Sequence, residues 1–254
     1  ETQFLRALGG KGNVELLFSE GDPDVERANV ETLVKKGIKV LIICPHDGAK
    51  AARAAEIAKA RGVTVICYDR LITDTAAVDY FVTFDSVAVG KAQGEYLVAS
   101  VPPGTKGAPL YLYSGAPSDG NAFLFFQGAW EVLQERVADG TFVVANSAHA
   151  AAFRGRKYLT RAEMALIIGE TSTGWDFPTA RALAAKNLAD SPRELKGRAF
   201  ILAPNDGTAR EISDEFSRDP LVAGFVVTGQ DAERASVQYI IDGKQSMTVF
   251  KDTR

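Results

Sequence analysis

Short apolar runs alternate with helix-like segments along the chain, and this alternation restricts the possible folds more than any other feature. The clearest run covers residues 63–67, which are small, apolar or β-branched and follow a helical segment that ends at Gly62. Strands that alternate with helices through short glycine-containing joints are typical of a parallel sheet whose two faces are covered by helices. The pattern therefore predicts an α/β protein.

The alternation continues to the end of the chain, which predicts two similar three-layer lobes with mostly parallel sheets. Ser86 is the predicted N-cap of its helix, and Thr160 and Glu163 form a predicted capping box. Strands are predicted at residues 13–18, 39–44, 63–67, 79–84, 109–113, 141–145, 198–203, 221–227 and 246–250. Helices are predicted at residues 3–8, 24–36, 49–61, 86–101, 122–138, 160–168, 177–188, 207–216 and 232–241.

A polar, turn-rich stretch at residues 114–121 is predicted to be the hinge between the two lobes. The expected N-terminal lobe covers residues 1–113 and the C-terminal lobe covers residues 114–247. Residues 248–254 are expected to begin a return crossover to the first lobe. Ligand pockets lie preferentially between domains, so we expect the binding cleft there.

Charge and composition exclude several classes of protein. The 254 residues carry a net charge of −3 and no block of lysine and arginine, which argues against a nucleic-acid-binding surface. No apolar run reaches the roughly 18 residues of a membrane span, and no signal-peptide pattern occurs within the sequence. Cys44 and Cys67 each lie near the end of a strand-like run, and two buried thiols are favoured over a disulfide. The histidines, His46 and His149, lack metal-ligand spacing, so neither a metal nor another cofactor is expected.

Polar side chains follow several of the predicted strands. Asp69 and Arg70 come directly after residues 63–67, and a carboxylate beside a guanidinium can bind two neighbouring hydroxyls of a sugar. An ion pair at the rim of the sheet explains these two residues equally well. The other polar residues at strand ends are Asp119, Asn121, Asn205, Asp206, Gln230, Asp231 and Lys251.

Trp175 stands between two predicted elements, where its indole can pack on the C–H face of a pyranose ring. A role in capping the following helix is the equally weighted alternative. Four other aromatic residues have helical spacing and are predicted to be core, namely Phe123, Phe125, Phe126 and Trp130.

Carboxylates such as Asp69 and Asp231 could in principle perform glycosidic acid–base chemistry. The strand-end residues, however, include no serine or cysteine nucleophile paired with a histidine, and no glycine-rich phosphate loop occurs in the sequence. A binding protein is therefore favoured over an enzyme.

Five ordered motifs resemble the periplasmic sugar-binding proteins of ABC transporters, in the xylose-binding and multiple-sugar-binding branch. The motifs are YDRLI, YFVTFDSVAVGKAQ, GAPSDGNAF, APNDG and TGQDAERASVQYIIDGKQSMTVFKDTR. The resemblance implies a type I periplasmic-binding fold, in which two lobes close on a monosaccharide such as xylose, glucose or galactose. It also implies that the closed form docks on a membrane permease.

The resemblance assigns sugar-binding roles to residues that match the motifs of the family. They are the acid–base pair Asp69 and Arg70, the polar residues Asp119 and Asn121, the aromatic Trp175, the hydroxyl binders Asn205 and Asp231, and Lys251 on the last interlobe strand.

The resemblance also implies partners and a location. The expected protein is a monomer in the periplasm or outside the cell, lipid-anchored in a Gram-positive bacterium, with a chemoreceptor or sensor as a further partner. A sugar-sensing effector domain of a transcriptional regulator or chemosensory system is the alternative. The family has a first strand before Glu1 and further elements after Arg254, and its connection at residues 148–173 is shorter.

Overall fold

The computed structural model describes residues 12–252, which divide into two compact units between Thr83 and Phe84. The helix expected at residues 3–8 lies outside the described residues. The division between the units falls earlier in the chain than Tyr113, where we expected the first lobe to end. The expected lobe boundary stays a prediction. No helix within residues 12–252 is long and apolar enough to cross a membrane.

The first unit is a parallel three-stranded sheet with two helices, and the strands follow the order β1-β2-β3 across the sheet. Its elements are α1 (Pro23–Lys35), β1 (Val40–Ile43), α2 (Ala52–Lys59), β2 (Thr64–Tyr68) and β3 (Tyr80–Val82).

Side chains of β1 alternate between a buried and an exposed face. Leu41 and Ile43 pack into the hydrophobic cluster that α1 and α2 share with β2. Val40 and Ile42 point to the other face and are 50% and 46% exposed. The expectation that this strand is buried on both faces is therefore wrong.

Residues 13–18, where a strand was predicted, form no strand in the described structure. Leu16 and Phe18 are exposed, and Asn29 Nδ2 donates to the carbonyl of Phe18 at 3.0 Å. Alternating apolar residues form a strand only when a neighbouring strand pairs with their backbone groups. No such pairing is made along this segment.

The second unit is a parallel four-stranded sheet in the order β5-β4-β6-β7. Its helices are α3 (Ser86–Ala99), α4 (Gly120–Ala138), α5 (Ala148–Ala152), α6 (Arg161–Thr171), α7 (Phe177–Asp190), α8 (Asp206–Arg218) and α9 (Arg234–Ile241). Its strands are β4 (Ala108–Leu112), β5 (Phe142–Val144), β6 (Arg198–Leu202) and β7 (Gly224–Val227).

Two hydrophobic clusters lie on opposite faces of this second sheet, which gives the expected three layers. Leu110 and Leu112 point into the cluster with α3, α4 and α6, whereas Tyr111 points into the cluster with α7 and α8. All of β4 is buried because it lies inside the sheet and beneath helices on both faces. The four aromatic residues of α4 that we predicted to be core, Phe123, Phe125, Phe126 and Trp130, are all buried.

Several helix termini agree with the sequence prediction and others do not. Both reciprocal bonds of the predicted capping box between Thr160 and Glu163 are present at the start of α6. The N-cap of α3 is Asp85 rather than Ser86, because the Asp85 carboxylate accepts the amide hydrogen bond of Ala88. The short helix α5 was not predicted.

The last predicted strand, at residues 246–250, forms only partly. The amide of Ser246 donates to the carbonyl of Val227 at 3.0 Å, and the amide of Val249 donates to Gly229 at 3.0 Å. A single parallel bridge joins Gln230 to Val249. This segment therefore runs beside the continuation of β7 without becoming a full strand.

Helices α3 and α4 approach each other so closely that only glycine fits at their contact. A Cβ on Gly90 would overlap the carbonyl oxygen of Phe125, and one on Gly128 would overlap the carbonyl of Val87. One on Gly94 would lie 2.9 Å from the carbonyl oxygen of Ala129. Gly90 and Gly94 on α3 and Gly128 on α4 thus mark the close packing of these two helices.

We expect Gly90→Ala to lower the free energy of unfolding by about 1–3 kcal/mol or more, since overpacking forces two helix backbones apart. Gly169→Ala on α6 is the matched control, because a Cβ there meets no atom within 4 Å. That control should be neutral or stabilising by up to about 1 kcal/mol. Urea unfolding of both variants measures the difference, and equal midpoints would contradict the packing argument.

Candidate functional site

The end of β4 places a loop of the second unit at the carboxyl edge of the sheet. Ser114 continues the direction of β4 and forms a parallel bridge with Ser172. The amide of Ser114 donates to the carbonyl of Thr171 at 3.0 Å, and the amide of Thr173 donates to Ser114 at 2.8 Å. These bonds hold the residues that precede α7 against the end of the strand, where open parallel sheets bind ligands.

Trp175 is held in a specific orientation by this loop. Its φ of 62° lies in the left-handed region, which is uncommon for a bulky residue and occurs often at functional sites. The indole packs on Gly115 and meets the ring of Phe125 edge to face, with centroids 6.3 Å apart. Its Nε1 is buried and has no hydrogen-bond partner. Asp176, not Trp175, caps α7, so the capping alternative for the indole is wrong.

A small cavity lies at this edge of the second unit. It is lined by Tyr113, Ser114, Gly115, Phe125 and Pro204, among others. Two of these residues, Gly115 and Phe125, also contact the indole of Trp175, and the cavity has room for about one water molecule.

Asp231 and Lys251 form an ion pair in the same unit, with Asp231 Oδ1 and Lys251 Nζ 2.8 Å apart. The ammonium also lies 5.5 Å from the ring centroid of Phe84 and 5.8 Å from that of Phe125. A cation beside aromatic rings gains electrostatic stabilisation. The ring of Phe125 thus lies near both this ion pair and the indole of Trp175, and their membership of one sugar site stays a prediction.

Asp206 organises the backbone around that ion pair, a role that sequence reasoning missed. Its buried carboxylate accepts hydrogen bonds from Gln245 Nε2 at 2.8 Å, Glu233 N at 2.9 Å and Thr248 Oγ1 at 3.0 Å. Burial raises the pKa of Asp206, although these hydrogen bonds act in the opposite direction. The carboxylate thus ties the loop after β7 to residues 245–248.

Three predicted site residues are also bound to the starts of helices. Asp119 is buried and caps α4 by accepting the amide of Asn121 at 2.9 Å. Asn121 accepts a hydrogen bond from Ser86 Oγ at 3.1 Å. Asn205 caps α8 by accepting the amide of Thr208 at 3.1 Å. Their sugar-binding role stays a prediction, and the caps explain part of why polar residues stand there.

Asp69 and Arg70 lie at the carboxyl end of β2 in the first unit, as predicted. Asp69 has a φ of 63°, and its amide donates to the carbonyl of Val82 at 2.8 Å. Arg70 Nη1 donates to the carbonyl of His46 at 3.3 Å. The left-handed φ of Asp69 interrupts the extended backbone just after β2. The side chains of Asp69 and Arg70 are both half-buried there.

Glu26 is a second carboxylate near Arg70 that the sequence reasoning did not identify. The residue is buried, and its Oε2 accepts the amide hydrogen bond of His46 at 3.1 Å. Burial raises the pKa of Glu26, while the His46 amide bond lowers it. The loop at the exposed His46 is thus held through the His46 amide by Glu26 and through the His46 carbonyl by Arg70.

The sequence contained a pattern that could have identified Glu26 as a buried residue. Val25 is exposed, and the buried residues of α1 are Glu26, Val30 and Val34. These three residues are spaced by four and therefore lie along one side of a helix. An acid in such a row is buried, which indicates a specific hydrogen-bonding role.

We expect Glu26→Leu to accelerate hydrogen exchange of the His46 amide, because it removes the acceptor of that amide. Glu26→Gln retains an acceptor oxygen of similar geometry and should preserve most of the protection. Site-resolved hydrogen exchange measures both variants. Unchanged protection in Glu26→Leu would show that the carboxylate does not hold this loop.

The described residues 12–252 contain no group of three or more histidine, cysteine, aspartate or glutamate residues placed to hold a metal ion. Cys67 is buried as expected, whereas Cys44 is exposed, so the expectation of a buried thiol is wrong for Cys44.

Comparison with known families gives a match to the periplasmic binding protein domain over residues 2–254. The chain is 35% identical to the multiple sugar-binding periplasmic protein SbpA of Azospirillum brasilense, covering 99% of this chain and 68% of that protein. It is 32% identical to the D-xylose-binding periplasmic protein of Haemophilus influenzae, covering 96% of this chain and 64% of that protein. The chain thus spans about two thirds of the length of these curated relatives.

A solved structure also resembles the chain closely. It is the carbohydrate transporter solute binding protein from Chloroflexus aurantiacus in complex with D-glucose, with 60% identity and a TM-score of 0.94. The match covers 99% of this chain and 73% of that one. These findings confirm the predicted resemblance and α/β class, and they agree with a binding protein rather than an enzyme.

Proposed function

The chain belongs to the periplasmic binding protein domain family, and on that premise we propose that it captures a neutral monosaccharide for an ABC transporter. D-glucose is the first candidate, because a relative with 60% identity is a carbohydrate transporter protein in complex with that sugar. D-xylose follows, because a curated relative is named as its periplasmic binding protein.

The observation that carries this proposal is the group of Trp175, Phe125, Asp231 and Lys251 in the second unit. An aromatic face suits the C–H side of a pyranose, and a carboxylate with an ammonium suits its hydroxyls, which both donate and accept. The charges of Asp231 and Lys251 compensate each other at 2.8 Å, which favours an uncharged ligand over a sugar acid or phosphate.

Strand-end residues of both units take part in the proposed binding. Asp69 and Arg70 of the first unit supply a bidentate acceptor and a planar donor. Arg70 donates to the carbonyl of His46, and the amide of His46 donates to Glu26. These hydrogen bonds restrict the Arg70 side chain before the sugar binds, so less conformational entropy is lost on binding. The remaining proposed ligand-binding residues are Asp119, Asn121, Trp175, Asn205, Asp231 and Lys251.

The proposed partners follow from the same family membership. We propose a membrane permease as the receiver of the sugar, a monomeric binding protein and a location in the periplasm or on the outer cell surface. The curated relatives named above are periplasmic proteins, which supports this location.

Titration calorimetry of the full-length protein tests the proposal. D-glucose, D-xylose and D-galactose serve as neutral probes, with gluconate and glucose 6-phosphate as charged counterparts. At least one neutral sugar should bind, and the charged compounds should bind far more weakly. A folded protein that gives no heat with any of the three neutral sugars would refute the proposal.

Arg70→Ala should weaken sugar binding by about tenfold or more, since hydrogen bonds to charged groups contribute roughly 1.5–3 kcal/mol each. Arg53→Ala is the matched control, because Arg53 lies on the exposed side of α2 in the same unit. The control should keep wild-type affinity in the same titration. An unchanged affinity in Arg70→Ala would remove Arg70 from the binding site.

A further inference from the structure

We propose that Gly115 is the positioning residue for Trp175 and that the absence of a side chain there sets the affinity for the sugar. The inference rests on the proposed function, since it assigns the indole to the sugar ring. Gly115 opens the motif GAPSDGNAF, but the sequence reasoning assigned no role to it.

The contact between Gly115 and Trp175 leaves no space for a methyl group. A Cβ built on Gly115 would overlap Cζ2, Cε2 and Cη2 of the indole. These atoms belong to a rigid fused ring, so the overlap cannot be relieved by bending a flexible chain end. Any side chain at this position must displace the whole indole.

The backbone of Gly115 does not itself require glycine. Its φ is not positive, unlike that of Gly174, which has a φ of 64° beside the indole. An alanine at residue 115 is therefore compatible with the main chain. The indole is the structural reason for glycine at this position.

Other contacts restrict where a displaced indole can go. The ring of Phe125 stands at 89° to it, and Ser172 Oγ donates to the carbonyl of Gly115 at 2.9 Å. The same Oγ accepts the amide hydrogen bond of Gly174 at 3.1 Å. Because the backbone of Gly115 is held in this way, a methyl group there must displace the partly exposed ring of Trp175, and with it the face on which we propose that the sugar stacks.

The first test is Gly115→Ala in the full-length protein, titrated with whichever of D-glucose, D-xylose and D-galactose the wild type binds. Affinity should fall about tenfold, and acrylamide quenching of tryptophan fluorescence should increase because Trp175 becomes more exposed. Trp130 is buried and contributes a constant background to quenching. Gly155→Ala is the control, since a Cβ there meets nothing within 4 Å, and it should match wild type in both measurements.

A double-mutant cycle with Trp175→Ala separates positioning from a general structural effect. Trp175→Ala should weaken binding, and adding Gly115→Ala should weaken it no further, because the indole that Gly115 positions is gone. Full additivity of the two losses, or wild-type affinity in Gly115→Ala, would overturn the inference. Should Gly115→Ala fail to fold, recovery of folding on adding Trp175→Ala supports the inference, and no recovery overturns it.

The proposed function and this inference fail in distinguishable ways. A folded wild-type protein that binds no neutral sugar refutes the proposed function. A wild-type protein that binds sugar while Gly115→Ala binds equally well refutes only the role of Gly115.

Discussion

Parallel pairing of β4 with β5 and β6 is the constraint on which the second unit depends. Strands that run the same way end at one edge of the sheet, so the loops after β4, β6 and β7 meet there. The pairing continues beyond the regular strands through the bridges Ser114–Ser172 and Gln230–Val249. Backbone hydrogen bonds therefore bring these loops of the second unit to one edge of its sheet.

Two buried carboxylates stabilise the loops on which the candidate sites stand. Asp206 holds the segments that carry Asp231 and Lys251, and Glu26 holds the loop that Arg70 contacts. Burial raises the pKa of both acids, which is unfavourable for their charged forms, and the hydrogen bonds they accept offset part of that cost. Each of the two carboxylates thereby holds its loop in a fixed position.

Structural features that depend on residues close together in the sequence could be predicted from the sequence alone. The capping box of Thr160 and Glu163 and most helix and strand positions were predictable in this way. The strand expected at residues 13–18 was not, because strand formation needs a partner that is distant in sequence. The same limit applies to residues 246–250, which pair only in part.

The sequence by itself determined the α/β class, the parallel connectivity and the strand ends at which polar residues such as Asp69 and Asp231 occur. Only the tertiary structure decided how these side chains are oriented and which glycine supports which ring. The orientation of Trp175 depends on Gly115, and the pairing of Asp231 with Lys251 depends on loops that Asp206 ties together. The reason is physical: periodicity and capping act over a few residues, whereas close packing and buried hydrogen bonds join residues far apart in the chain.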